Sequence, residues 1–174
     1  IIACMGNNEV KSLNYEVNEI DNIELLDTSS KDGHRIYIRG ILYIMAKALN
    51  EVYPEALLSV NYQLSSAMFC KIDNMEITDE MIANVKARMQ EIINQNLEIR
   101  KVVMTKEEAE EFYSNEKTLR GIVQIDNTQK EGVSLYYCED YFNYFFGVMP
   151  ISTGYIKIFD IVKYADGFLV RYPS

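Results

Sequence analysis

The 174-residue sequence has no tryptophan, a single histidine, three cysteines and three prolines, and each scarcity removes a class of chemistry. With His34 alone in the chain, a zinc site built from paired imidazoles on neighbouring turns has no donors. Cys4, Cys70 and Cys138 are odd in number and widely spaced, so a disulfide framework is not expected. They read as small buried apolar side chains in a reducing compartment, by default the cytoplasm. No apolar run approaches the ~20 residues of a membrane span, and the apolar start Ile1-Ile2-Ala3-Cys4 breaks at Gly6-Asn7-Asn8, so no membrane segment or secretion signal is expected. None of the eight glycines stands at the spacing of a Walker loop.

Positive charge is also short. Lys and Arg number 17 against 26 Asp and Glu, a net charge of -9. Such a surface repels phosphate backbones, and the best basic cluster, Lys86 and Arg88 with Arg100 and Lys101, is interrupted by acids and reads as a solvated face. Nucleic acid is therefore not expected as a partner. The first residue is isoleucine and the last follows a strand-like run, which suggests a piece of a longer protein.

What is present is a 48% hydrophobic fraction, enough to bury one medium core. Short strands are expected over 1–5, 9–13 and 23–26, and the polar run Asp27-Thr28-Ser29-Ser30-Lys31-Asp32-Gly33 marks a boundary. Residues 1–30 then form one small piece with its linker, and 31–174 the main domain. Ile38, Ile41, Leu42, Met45, Leu49 and Val52 recur at helical spacing up to Pro54, which leaves His34 in a loop before that helix. Strands over 57–64 and 67–72 flank a Ser65-Ser66 turn. A second helix opens at Thr78 and ends near Asn96. A strand over 99–104 leads to Thr105-Lys106-Glu107-Glu108, a capping box for a third helix. After a polar stretch around 127–130, strands are expected over 134–138, 155–164 and 168–172, the last two joined by Ala165-Asp166-Gly167. Without a βα rhythm, these elements predict an α+β fold, an antiparallel sheet with helices packed on one face.

The segment from Tyr136 to Gly147 is dense in aromatics and contains Glu139 and Asp140. It can fill a core or line a ligand pocket. Ser152-Thr153-Gly154 brings hydroxyls without a base beside them and reads as a turn. A surface or capping role suits His34, since a general base wants a positioned partner.

Several stretches resemble one known module in order. They are Ala46-Lys47-Ala48-Leu49-Asn50-Glu51-Val52-Tyr53-Pro54, Ala67-Met68-Phe69-Cys70-Lys71-Ile72-Asp73, Thr78-Asp79-Glu80-Met81 and Thr105-Lys106-Glu107-Glu108-Ala109, followed by the run from Phe146 to Phe159. Together they resemble the editing-type second additional domain of threonyl- and alanyl-tRNA synthetases over about residues 34–165, with 1–27 resembling the tail of a ubiquitin-like TGS domain. The resemblance places the family's His-x-x-x-His pair at Arg39 and Tyr43, and its Cys-x-x-x-His pair at Phe145 and Met149. None of these four side chains replaces imidazole or thiolate on zinc, so no metal is expected and the metal-dependent deacylase role is not carried over. The vacated pocket would offer Arg39 and Tyr43 as donors, with Asp140, Tyr141, Phe145 and Met149 around them, to a small ligand.

The same losses resemble the N-terminal region of uridine-kinase-like nucleoside kinases. That implies a non-catalytic accessory domain partnered by its own kinase domain, with ATP and Mg belonging to the absent part. The alternative is a metal-independent hydrolytic editing domain acting on aminoacyl-tRNA, with Asp140 or His34 activating water.

Overall fold

The computed structural model describes residues 1–18, 21–115, 133–145 and 147–174, and for 112–115 the backbone alone. The expected polar stretch around 127–130 and the aromatic Phe146 lie outside the described residues. The elements run β1 (Ala3–Gly6), β2 (Glu9–Lys11), β3 (Ile23–Leu26), α1 (Lys31–Val52), β4 (Leu58–Gln63), β5 (Ala67–Ile72), α2 (Asp79–Gln95), β6 (Arg100–Met104), α3 (Lys106–Asn115), β7 (Val133–Cys138), β8 (Tyr141–Tyr144), a 3-10 turn (Thr153–Tyr155), β9 (Asp160–Tyr164) and β10 (Gly167–Arg171). The fold is α+β, with three antiparallel sheets ordered β2-β1-β3, β4-β5-β10-β9 and β6-β7-β8. The chain divides into two compact units, one formed by Ile1–Leu97 with Val148–Ser174, the other by Glu98–Gly147.

In the first unit, α1 and α2 pack on one face of the four-stranded sheet. Ile36, Ile41, Ile44, Met45 and Leu49 from α1 share a core with Val85, Met89 and Ile92 from α2 and with Cys70, Ile72, Ile161, Phe168 and Val170 from the strands. Each of these larger aliphatic side chains, fully withdrawn from water, contributes about 1.5–3 kcal/mol, which is why the three- and four-residue periodicity of both helices is so regular. Phe69 turns to the opposite face, where its ring contacts Tyr62 at 5.0 Å and Tyr164 at 5.9 Å between centroids.

The helix α1 begins earlier than its apolar stripe suggests. Ser30 caps it by accepting from the Gly33 amide at 3.0 Å, so His34 lies in the helix and not in a loop before it. The cap, not the first core residue, sets the start. Gly33 is needed there because a Cβ would run into the Asp27 carbonyl, where the 27–30 turn folds back over the first helical turn. For α2, Thr78 caps the Met81 amide, and the helix ends on Asn96 in the left-handed region (φ 48°), as an Asn at C-cap allows. In the second unit the Thr105 capping box forms reciprocally, Thr105 Oγ1 accepting from the Glu108 amide and Glu108 from the Thr105 amide.

Two expectations near the C-terminal end need correction. The strand expected over 155–164 covers only Asp160–Tyr164. Before it, the Lys157 and Ile158 amides donate to the Tyr37 phenol instead of to a neighbouring strand, at 3.1 and 2.8 Å. In the Ala165-Asp166-Gly167 turn, the positive φ falls on Ala165 (50°), while Gly167 already pairs with Tyr164 as the first residue of β10. Gly167 is required for a different reason, since a Cβ would fall on the Cys70 carbonyl and the Phe69 ring. The strand β8, hidden in the aromatic run, was not anticipated.

Candidate functional site

The resemblance singled out one face of α1. Arg39 and Tyr43 lie one turn apart on it, and Lys47 and Glu51 continue the same four-residue row. Arg39 commits its Nη1 to the Val148 carbonyl at 3.0 Å, tying α1 to the segment that carries Met149. One turn on, Tyr43 is fully buried, as is Met149.

The segment from Val148 to Ile158 is fastened at each step by unit-one residues. Gly40 lets Pro150 approach α1, where a Cβ would stand 2.8 Å from the proline ring. Thr153, fully buried, donates from Oγ1 to the Ile92 carbonyl at 2.7 Å and accepts there from the Leu97 amide at 2.9 Å, while its own amide donates to the Leu97 carbonyl. The Gly154 amide donates to Asn96 Oδ1, and a Cβ on Gly154 would occupy the place of that oxygen. The Tyr37 phenol closes the series, donating to the Ile158 carbonyl at 2.6 Å while accepting the two amides. The serine-threonine-glycine turn is thus a structural lock on the end of α2.

Lys47 was not singled out by sequence, although its place two turns beyond Arg39 was readable. It is fully buried with its ammonium 2.5 Å from Glu51, which also meets Arg88 at 2.5 Å. Burial raises the Glu51 pKa, but hydrogen bonds and charge from Arg88 and Lys47 outweigh it and hold the carboxyl below its ordinary value.

In the second unit, the turn Glu139-Asp140 joins β7 to β8, and Glu139 takes a positive φ of 57°. Asp140 is exposed, Tyr141 buried and Phe145 half-buried. Asn143 donates to the Tyr141 phenol at 2.9 Å, the Tyr136 phenol donates to the Gly147 carbonyl at 2.7 Å, and the Arg100 guanidinium lies over the Tyr137 ring. The six expected pocket residues therefore fall three to each unit, with Arg39, Tyr43 and Met149 on the first and Asp140, Tyr141 and Phe145 on the second.

His34 lines a different feature of the first unit, a groove of about 1240 Å³ that also includes Ser29, Asn94, Asn96, Ser152 and Lys157. Its ring lies edge-on to Tyr172 at 5.5 Å and makes no side-chain hydrogen bond to another described residue. Among the described residues, no aspartate or glutamate lines this groove.

Among the described residues, no group of three or more His, Cys, Asp or Glu is close enough to hold a metal ion. The side chains at the family's ligand positions do not fit one either, with Arg39 already on a carbonyl and the Tyr43 phenol lying out of solvent. Burial pushes the Cys70 thiol up to about 12, far from the thiolate that a metal or an acyl group would need. No helix among the described residues is long and apolar enough to cross a membrane.

What remains is an α+β chain whose synthetase-type landmarks, the 39/43 pair on α1 and the Thr153-Gly154 turn, fall where the fold brings them to one segment. The chain is similar to part of the threonine–tRNA ligases. A probable cytoplasmic threonine–tRNA ligase of Enterocytozoon bieneusi is 30% identical over 172 residues, 98% of this chain and 27% of that protein. The threonine–tRNA ligase of Clostridium kluyveri is 23% identical over 169 residues, 96% of this chain and 26% of its own length. That of Ligilactobacillus salivarius is 28% identical over 159 residues, 90% of this chain and 24% of its own. The chain thus spans about a quarter of these relatives. No family model matches it.

Proposed function

We propose that this chain is an editing-type domain of a threonine–tRNA ligase-like protein, working in the cytoplasm on the aminoacyl end of tRNA and without a His/Cys metal centre. The observation that carries this reading is the similarity running through 172 residues, nearly the whole chain, to a protein named for joining threonine to tRNA. The relatives favour a ligase over a nucleoside kinase as the kind of protein such a domain serves, so the phosphotransferase reading, with its ATP and Mg, has no support from them.

The chemistry is hydrolysis of the ester between an amino acid and the terminal ribose. Water adds to the ester carbonyl, the ribose oxygen leaves with a proton, and free amino acid and tRNA result. Two side chains are available to take the proton from water, His34 in the groove and the exposed Asp140. Among the described residues neither has the positioning partner that makes an efficient base, so the activity should be slow.

Threonine tRNA mischarged with serine is the substrate to test, because serine differs from threonine by a methyl group and a pocket built for threonine rejects it weakly. The 174-residue chain is expected to release serine faster than the blank and faster than it releases threonine. His34→Ala and Asp140→Asn report which side chain serves. Release no faster than the blank for both esters refutes the hydrolytic reading.

A further inference from the structure

The groove of about 1240 Å³ lies wholly within the first unit, and its chemistry is one-sided. In a chain with 26 acidic residues, no aspartate or glutamate among the described residues lines it, whereas His34 and Lys157 do. Lys157 is exposed and makes no ion pair with a described residue, although Lys11, Lys71, Lys86 and Lys106 are each paired with a carboxylate. The chain ends, Ile1 and Ser174, also line the groove and carry opposite charges that offset each other.

The amides of the groove add donors to this charge. Asn96 Oδ1 is taken by the Gly154 amide at 3.1 Å, and an N–H can only donate, so the orientation of the Asn96 amide is fixed and its Nδ2 is the part left over. Asn94 Oδ1 is likewise taken, by Gln90 Nε2 at 2.9 Å, which leaves the Asn94 Nδ2. Against these stands one free amide carbonyl, that of Gln90, while the hydroxyls of Ser152 and Tyr155 adapt to either role. One length of chain brings the donors together. The segment from Gly154 to Lys157 is bonded to Asn96 at one end and, through the Lys157 amide, to Tyr37 at the other, one helical turn from His34.

We infer that this groove binds a phosphate monoester of nucleotide size, with the phosphate held by Lys157, His34 and the Asn96 amide. Donors without carboxylates suit a group that only accepts and is negatively charged, and a phosphate monoester offers three terminal oxygens where a carboxylate offers two. The rest of the lining selects a body beyond the phosphate. Ile93, Ile151 and Ile158 form its apolar part, and Ile158 is 65% exposed, a surface that a bare inorganic anion leaves in water and a planar base covers. Sites for ligands of that size run to about 300–1,000 Å³, so the groove has the room. The inference goes beyond the hydrolytic reading, since it concerns a free small molecule and holds whichever of His34 and Asp140 serves the ester.

Isothermal titration of the 174-residue chain with adenosine 5′-monophosphate, inorganic phosphate and adenosine tests this. The monophosphate is expected to bind about tenfold or more tighter than either fragment, and to weaken as added salt screens the exposed Lys157. Lys157→Ala should weaken it about tenfold with the unfolding midpoint retained, whereas Lys163→Ala, at an exposed lysine on β9 that is also without an ion pair among the described residues, should change nothing. In amide NMR spectra the monophosphate should shift residues 94–96, 152–158 and the first turn of α1. No binding of the monophosphate at millimolar concentration overturns the inference, as do equal affinities for the monophosphate and either fragment, shifts clustered elsewhere, or affinity unaffected by Lys157→Ala in a folded protein. Release of serine from tRNA is a separate measurement, so the failure of one reading is distinguishable from the failure of the other.

Discussion

Replacing Thr153 with valine keeps its shape and deletes one hydroxyl, which makes it a sharp probe of how the end of α2 is held. That hydroxyl is fully buried, donates to the Ile92 carbonyl at 2.7 Å and accepts the Leu97 amide at 2.9 Å. Valine leaves both backbone groups without this partner. A buried donor or acceptor stripped of its bond costs about 1–3 kcal/mol, and here the donor is only partly shielded, so the pair should cost about 2–4 kcal/mol. For a chain of this size that lowers the melting temperature by roughly 5–15 °C. Thr153→Ser, which keeps both bonds and loses a methyl, should cost about 1 kcal/mol. Urea unfolding of the three proteins, followed by circular dichroism, separates the two contributions. A valine variant within about 0.5 kcal/mol of the parent would show that water satisfies the freed groups and that the lock does not stabilise the fold.

The Lys47 network gives a contrast of a different kind. Lys47→Met removes a buried charge and fills similar volume, so it should be close to neutral in urea midpoint, whereas Glu51→Ala deprives Lys47 and Arg88 of a shared carboxylate and should cost about 1–3 kcal/mol. Glu51 and Asp160 also set the acid response. Burial raises the Glu51 pKa but is outweighed by Arg88 and Lys47, and a hydrogen bond from Lys86 lowers that of Asp160, so both fall below their ordinary values of 4.5 and 3.8. Their stabilisation is complete above those ordinary values and is lost as pH falls through the lower folded ones. The unfolding midpoint, measured from pH 6 down to about 2, should therefore drop most steeply below about 4.5, and Arg88→Met should flatten the Glu51 part of that drop.

Much of the local structure was legible in the sequence because the helices α1 and α2 each bury a single stripe. The apolar rows of α1 and α2, the Thr78 and Thr105 caps and the Asn96 stop each follow from local chemistry. What was not legible depended on distant residues. Nothing in Lys157 or Ile158 says that their amides meet a phenol 120 positions earlier in the chain, so a strand was expected where Tyr37 takes its place. The start of α1 was missed because the eye follows Ile38 and Ile41, while Ser30 closes the first turn eight residues before Ile38. Gly167 was expected to bend a turn and instead makes room for a neighbouring carbonyl. Of the candidate site, the sequence supplied the four-residue spacing of Arg39 and Tyr43, but not the carbonyl that Arg39 grips or the buried ammonium one turn further on.

The mutual bonds between Leu97 and Thr153 have an architectural consequence. The chain leaves the first unit just after Leu97 and re-enters it at Val148, and the bonds join Leu97 to Thr153, shortly after the return. The first unit thereby closes on itself through its own bonds, holding the end of α2 to a turn 56 positions later in the chain.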